Sequence, residues 1–324
     1  METLAIKTKT APTGQKRKAS RLEKRTIRNF FLFVSPWLIC FCLFGLVPMG
    51  ASLYFSFTKY NIAKPPEWVG ISNFGRIFAD EAFTKAVGNT FYYTIIKVPM
   101  ILALSLAAAL LLNKRVRGKS VFRMLFYFPA VMPAVASIMV WVFIFNYEGG
   151  LLNMVVGGLN FPPFSWIFKG VLGDVPVQWF STKNAMNSLL FMSLWGVGPG
   201  MVVFLAALQG VPKTYYEALE IDGGSSFKAF THITLPMISP TIFYLLLTNL
   251  IAGLQVFAEM YLATGGGPNN ATVSLCLLIY QYAFSTPIRM GLASALAWFV
   301  LVMTLILSFF TFKVSNKHTY YEGA

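Results

Sequence analysis

The apolar runs of this chain decide what it can become. Residues 87–112 contain a single charged side chain, Lys97, and runs at about 30–57, 121–146, 184–208, 237–263 and 288–312 are comparably apolar. A helix of about 18 or more such residues is long enough to cross the hydrocarbon core of a bilayer. Within lipid, a backbone satisfies its own N–H and C=O groups only as a helix or a closed barrel. The chain is therefore read as an all-α integral membrane protein with six transmembrane helices, kinked in the first run by Pro36 and Pro48. Its charged fraction of 12% is about half that of a soluble domain.

The net charge of +14 would suit a nucleic-acid partner, but the basic residues cluster beside the apolar runs, as membrane topology signals do. No nucleic acid is expected. Nine Lys and Arg crowd residues 1–29 against Glu2 and Glu23, which predicts a disordered cytoplasmic tail. Lys114, Arg115, Arg117, Lys119 and Arg123 mark the turn before the third run as cytoplasmic too. With both termini cytoplasmic, eighteen of the 26 basic residues fall inside and seven outside. Five or seven spans would put the tail and the turn on opposite sides of the membrane.

The first run is too long for a signal peptide and is expected to stay as a helix. Residues 30–313 then form the transmembrane domain, and 314–324 a short cytoplasmic tail. Ile71, Phe74, Ile77 and Phe78 recur at helical spacing, predicting a short surface helix on the outer side. Phe161, Phe164, Trp166, Phe168, Trp179 and Phe180 predict an outer loop at headgroup level between 147 and 183. Cys40, Cys42 and Cys276 lack metal-ligand spacing, so no metal is expected.

Between the fourth and fifth runs lies a polar island, residues 217–240. Gly223-Gly224 separates two helix-forming stretches, about 215–221 and 225–231, with Ser225 placed to cap the second. Glu217-Ala218, then Asp222-Gly223, then Leu235-Pro236 and Pro240 closely resemble the EAA loop, here 210–240, of permease subunits in binding-protein-dependent ABC importers. The resemblance extends to Trp68-Val69-Gly70 with Asn73-Phe74, Arg123 with Phe128-Pro129, Pro133 and Trp141, and residues 149–153 and 206–209. It continues through Thr264-Gly265-Gly266-Gly267-Pro268, Tyr280, Phe284 and residues 291–295, as in the carbohydrate-uptake (maltose/glycerol-phosphate-type) branch. Importers of larger oligosaccharides, including alginate oligosaccharide, show a similar pattern.

That resemblance implies a type I ABC importer permease fold in the bacterial inner membrane. It also implies four kinds of protein or ligand partner besides membrane lipid: a second homologous permease subunit, two nucleotide-binding ATPase subunits, a solute-binding protein and an oligosaccharide substrate. Glu217, Ala218, Asp222 and Gly223 would couple the chain to the ATPase; Leu219 departs from the alanine common in the family. No cofactor would bind this chain, ATP and magnesium belonging to the partner subunits. Gly118-Lys119-Ser120 resembles the end of a phosphate-binding loop, but Asn113 stands where its first glycine belongs and an apolar run precedes it. The chain itself is then no enzyme.

Polar groups inside a membrane default to functional candidates. Lys97, Asn249, Gln255 and Glu259, with Gly253 and with Met192, Trp195 and Gly196 on the fourth run, are the candidate substrate path. Lys97 would either meet an acidic substrate or pair with Glu259, and Trp195 either stacks on sugar or packs. A stand-alone secondary carrier or a membrane-bound transferase are the alternatives. The former needs inverted repeats or a titratable relay, the latter a catalytic cluster that His232 and His318 alone do not form.

Overall fold

The computed structural model describes residues 21–114, 117–158 and 176–315, and the chain divides into two units, 1–52 and 53–324. Most of the N-terminal tail, Arg115, the aromatics from Phe161 to Phe168 and residues 316–324 lie outside the described residues. The first unit is helical: α1 (Arg21–Phe41), a π-helical turn (Cys42–Leu46) and the start of α2 (Val47–Ser56). Of the kinks expected at Pro36 and Pro48, α1 continues as a helix through Pro36, and the distortion is that π turn, in which the Val47 N–H reaches back to Cys42 O just ahead of Pro48.

The second unit opens with an antiparallel pair, β1 (Thr58–Lys59) and β2 (Glu67–Trp68). Then α3 (Ser72–Ala79) forms where apolar spacing predicts it, burying Ile77 and leaving Ile71 and Phe78 exposed. Asp80 accepts the Ala82 N–H at 2.9 Å, so α4 (Glu81–Asn113) begins earlier than residue 87. The other oxygen of Asp80 accepts the Tyr282 hydroxyl at 2.5 Å. Burial, reinforced by that bond, pushes the phenol above its ordinary value and keeps it a donor.

Two of the predicted spans are broken. The third run forms α5 (Lys119–Val131) and α6 (Ala134–Ile144), bent by 101°. Pro133 removes an N–H and drives Met132 into extended backbone, ψ 140°. After α7 (Leu151–Gly158), Trp179 and Phe180 pack on Phe145, and Asn153 ties Trp179 Nε1 and the Val177 N–H at 3.0 Å each. The fourth span is continuous over 26 residues: α8 (Ala185–Ser193), a 3-10 turn (Leu194–Val197) and α9 (Gly198–Gly210).

Next come α10 (Lys213–Ile221), α11 (Ser226–Ala229), a π turn (Phe230–Thr234) and α12 (Leu235–Met237). The axis then bends by 64° into α13 (Ser239–Leu254). The fifth span was expected to run unbroken to 263. Instead it stops at Gln255, and α14 (Ala258–Thr264) starts afresh. Ser274 Oγ donates to the freed Val256 O at 2.6 Å. The expected outer segment contains α15 (Leu275–Phe284), apolar, largely buried and too short to cross. Finally, α16 (Met290–Ser315) spans. Among the described residues, four helices are long and apolar enough to cross, or six spans if each bent pair counts as one.

Helix α4 threads three core clusters. Its start packs with Ile77, Leu278 and Leu296, its middle with Ile138, Leu189 and Met260, and its end with Phe204, Leu208 and Ile238. Glycines set its crossings: a Cβ at Gly253 would lie 2.8 Å from Thr94 Cγ2, and one at Gly200 2.7 Å from Ser105 Oγ.

At the opposite rim, buried Asn73 donates to Ser56 O at 2.9 Å and Thr58 O at 2.8 Å, and any Cβ at Gly291 would collide with the latter carbonyl. Asn73→Leu is expected to lower stability by about 2 kcal/mol by leaving those carbonyls without that donor. Thermal unfolding in detergent reads this, and an unchanged midpoint would mean that the rim carries no stability.

Candidate functional site

The polar island folds as a knob held by its own backbone. At the end of α10, Gly223 sits at φ +72°, its N–H bonding Glu220 O at 3.1 Å while the Gly224 N–H bonds Leu219 O at 2.8 Å. This paired closure is a Schellman motif, which demands a residue free to adopt positive φ. It accounts for the first glycine of the Asp-Gly-Gly run. The second is explained by proximity, because a Cβ at Gly224 would strike the Leu219 side chain. Leu219 is thus fitted to its glycine partner. Ser225 Oγ then accepts the Lys228 N–H at 3.3 Å and caps α11, as expected. That helix ends at Ala229, short of the predicted 231, because the chain widens into the π turn whose Leu235 N–H bonds Phe230 O.

One side of the knob is anchored. The Tyr216 hydroxyl and Thr234 Oγ1 lie 2.9 Å apart, and Tyr216, Ile233 and Met237 pack against the cluster that holds Leu112, Phe204, Leu208 and Ile238. The other side is open. Glu217, Ala218, Asp222 and Gly223 are all exposed, beside Ile221 at 87% and Phe227 at 76% exposure. Sequence reasoning picked Glu217, Ala218, Asp222 and Gly223 and passed over these two large apolar neighbours. Their signal was present as isolated large apolar residues in an otherwise polar stretch. Among the described residues, Glu217 makes no ion pair.

The candidate path residues divide. Met192, Trp195, Gly196 and Glu259 line one cleft of about 340 Å³, with Ser137, Ser193 and the Pro129–Ala134 bend around them. The cleft forms where three spans are irregular: the α5–α6 bend, the 3-10 turn and the restart at α14. Trp195 lies edge-on to Trp141, with ring centroids 5.5 Å apart.

Lys97 stands outside that lining, its Nζ 5.0 Å from the Tyr93 ring centroid. Glu259 acts on it electrostatically, but no ion pair closes between them. The Tyr93 hydroxyl is buried near Ser193 without a hydrogen bond of good geometry, and Ser193 Oγ donates to Leu190 O at 2.6 Å. Asn249 donates one amide N–H to Leu245 O of its own helix at 2.8 Å. Gly253 is buried against Thr94, and Gln255 is exposed at the end of α13.

The chain that carries this exposed, internally locked knob matches one family over most of its length. The family profile described as binding-protein-dependent transport system inner membrane component covers residues 68–317. The chain belongs to this family. It is a multi-pass inner-membrane permease. It is 34% identical over 94% of its length to a probable ABC transporter permease protein of Bacillus subtilis, covering 96% of that protein. It is 32% identical over 88% of its length to a trehalose/maltose transport system permease protein of Thermococcus litoralis, covering 93% of it. A crystal structure of a bacterial ABC transporter involved in the import of the acidic polysaccharide alginate contains a chain that superposes with TM-score 0.74 at 24% identity. The superposition covers 93% of this permease and 100% of that chain. The fold is therefore the type I ABC importer permease fold.

The fit between Leu219 and Gly224 makes a specific forecast. Gly224→Ala is expected to speed amide hydrogen exchange at residues 223 and 224, and adding Leu219→Ala to restore part of the protection, since Leu219 O would still lie 3.0 Å from the new Cβ. Unaltered exchange in the single variant would show that the motif does not depend on this contact.

Proposed function

We propose that this permease is the membrane subunit of an ATP-driven importer that moves an oligosaccharide delivered by a solute-binding protein. The observation that carries the reading is the knob: an exposed surface with Glu217, Ile221 and Phe227, locked by its backbone and braced on the spans through Tyr216 and Thr234. Such a surface suits a soluble partner, here a nucleotide-binding ATPase subunit on the cytoplasmic side, where the charge bias puts the island. ATP and magnesium belong to that partner, and no cofactor is assigned to this chain. A second, homologous permease would complete the translocation path. When two ATPase subunits close on ATP, the knobs of both permeases are drawn together. The cluster of Leu208, Ile238 and Leu112 passes that movement to α4, α9 and α13.

The saccharide class rests on the trehalose/maltose relative and on the cleft that combines Trp195 with Ser137, Ser193 and Glu259. Lys97 supplies a positive charge within α4 and keeps acidic sugars such as alginate among the candidates.

Reconstitution of the complete complex in proteoliposomes tests this. Gly223→Val puts a β-branched residue at positive φ, at a cost of about 1–2 kcal/mol. ATP-driven sugar uptake should fall by about tenfold or more in it, and by a smaller factor in Glu217→Ala. Normal uptake in both variants, or uptake by the subunit without any ATPase, would overturn the reading.

A further inference from the structure

An apolar groove of about 560 Å³ lies between α4 and α5, the two helices joined by the basic turn. Leu104 and Leu111 of α4 line it, with Phe122, Leu125 and Pro129 of α5 and Trp195 of the 3-10 turn. The stretch from Leu104 to Leu111 covers about 10 Å of helix and ends just before the turn. The groove therefore lies where the charge bias puts the cytoplasmic leaflet. It is open to its surroundings, because Leu111 is 62% and Leu125 58% exposed.

The end of the groove at the turn carries positive charge that the chain does not balance. Lys119, Phe122, Phe126 and Pro129 recur at steps of three or four residues, so Lys119 heads the face of α5 that lines the groove. Lys114, at the C-cap of α4, and Arg117 are exposed beside it. Arg123 Nε is buried without a hydrogen-bond partner among the described residues. From residue 82 to 147 the sequence has no Asp or Glu. Among the described residues, none of these four cations forms an ion pair. A buried guanidinium nitrogen left unpaired is costly, and an anion from outside the chain would relieve it.

Apolar walls that end in unpaired cations fit an amphiphile with a negative head. A span of a second, homologous permease fits less well, because the same charge bias would bring further Lys and Arg to this level. We infer that the groove binds an anionic phospholipid of the cytoplasmic leaflet. Its acyl chain lies between α4 and α5, and its phosphate is held by Lys114, Lys119 and Arg123. Pro129 and Trp195 line both this groove and the cleft with Glu259. The bound chain thus packs against two residues of the cleft wall and steadies the bend between α5 and α6. The site does not depend on what the permease carries.

The test uses the complete complex in detergent micelles, with phosphatidylglycerol carrying a photoreactive diazirine in one acyl chain as the probe. Irradiation should label peptides that contain residues 104–111 and 122–129. Unlabelled phosphatidylglycerol should compete at a concentration about tenfold lower than phosphatidylcholine does. Ala107→Trp, at an exposed position of the lining, fills the groove and keeps every cation; labelling should fall by about tenfold. Lys119→Gln/Arg123→Gln keeps the groove and should bring the two lipids to within about threefold of each other. Equal competition by the two lipids in the wild type overturns the site, since ordinary boundary lipid would behave so. Absence of label from both peptides in the wild-type complex also overturns it, and shows that the second permease or another protein covers the groove. Undiminished label in Ala107→Trp, or an unchanged lipid preference in the double variant, counts against it in the same way. A variant that does not assemble leaves the wild-type competition to decide.

Discussion

Everything in this permease depends on closing backbone hydrogen bonds where no water can help. A span can be interrupted in lipid only if the freed groups find partners within the protein. Two of the interruptions here come with such partners. Ser274 Oγ donates to Val256 O where the fifth span stops, and Thr90 Oγ1 accepts the Leu275 N–H at 3.0 Å as α15 begins. Ser105 Oγ donates to Val197 O at 3.0 Å beside the 3-10 turn of the fourth span. Side chains of α4 supply two of these three contacts, so the helix that threads the core clusters also underwrites the irregular backbone around it. The cleft with Trp195 and Glu259 sits among these breaks.

The knob obeys the same economy on the other side of the membrane. Its Schellman closure satisfies the end of α10 within the backbone, leaving the exposed side chains free for a partner. Its brace reaches the spans through one hydroxyl pair, Tyr216 and Thr234, and a packed apolar base. Between knob and span the chain passes through a π turn and a 64° bend. A force on Ile221 or Phe227 would thus be delivered to α13 at an angle, and shared with α4 and α9 through Leu112, Leu208 and Ile238. That arrangement suits rotation of a helix layer better than a push along one axis.

Much of this was legible in the sequence because the signals are local. Long apolar runs located the spans, and Gly223-Gly224 with Ser225 fixed the shape of the knob. The breaks were harder to see. Pro133 lies in an apolar run that reads as continuous, and its 101° effect follows from the extended residue before it. The stop at Gln255 depends on Ser274, and the Leu275 amide on Thr90, 185 positions away. Such partners carry no nearby pattern. For the same reason the candidate path dispersed: one amide N–H of Asn249 bonds its own helix and Gly253 meets Thr94 at a helix crossing, contacts that residue type alone does not reveal. Only Met192, Trp195, Gly196 and Glu259 share a surface.

The central claim is that the knob is where an ATPase subunit drives the spans, and Ile221, at 87% exposure, is its most direct probe. A photoreactive phenylalanine analogue in place of Ile221, irradiated in the complete complex, is predicted to give an adduct with the ATPase subunit and to block ATP-driven uptake in proportion to its yield. Adducts with lipid alone, at undiminished uptake, would contradict the account.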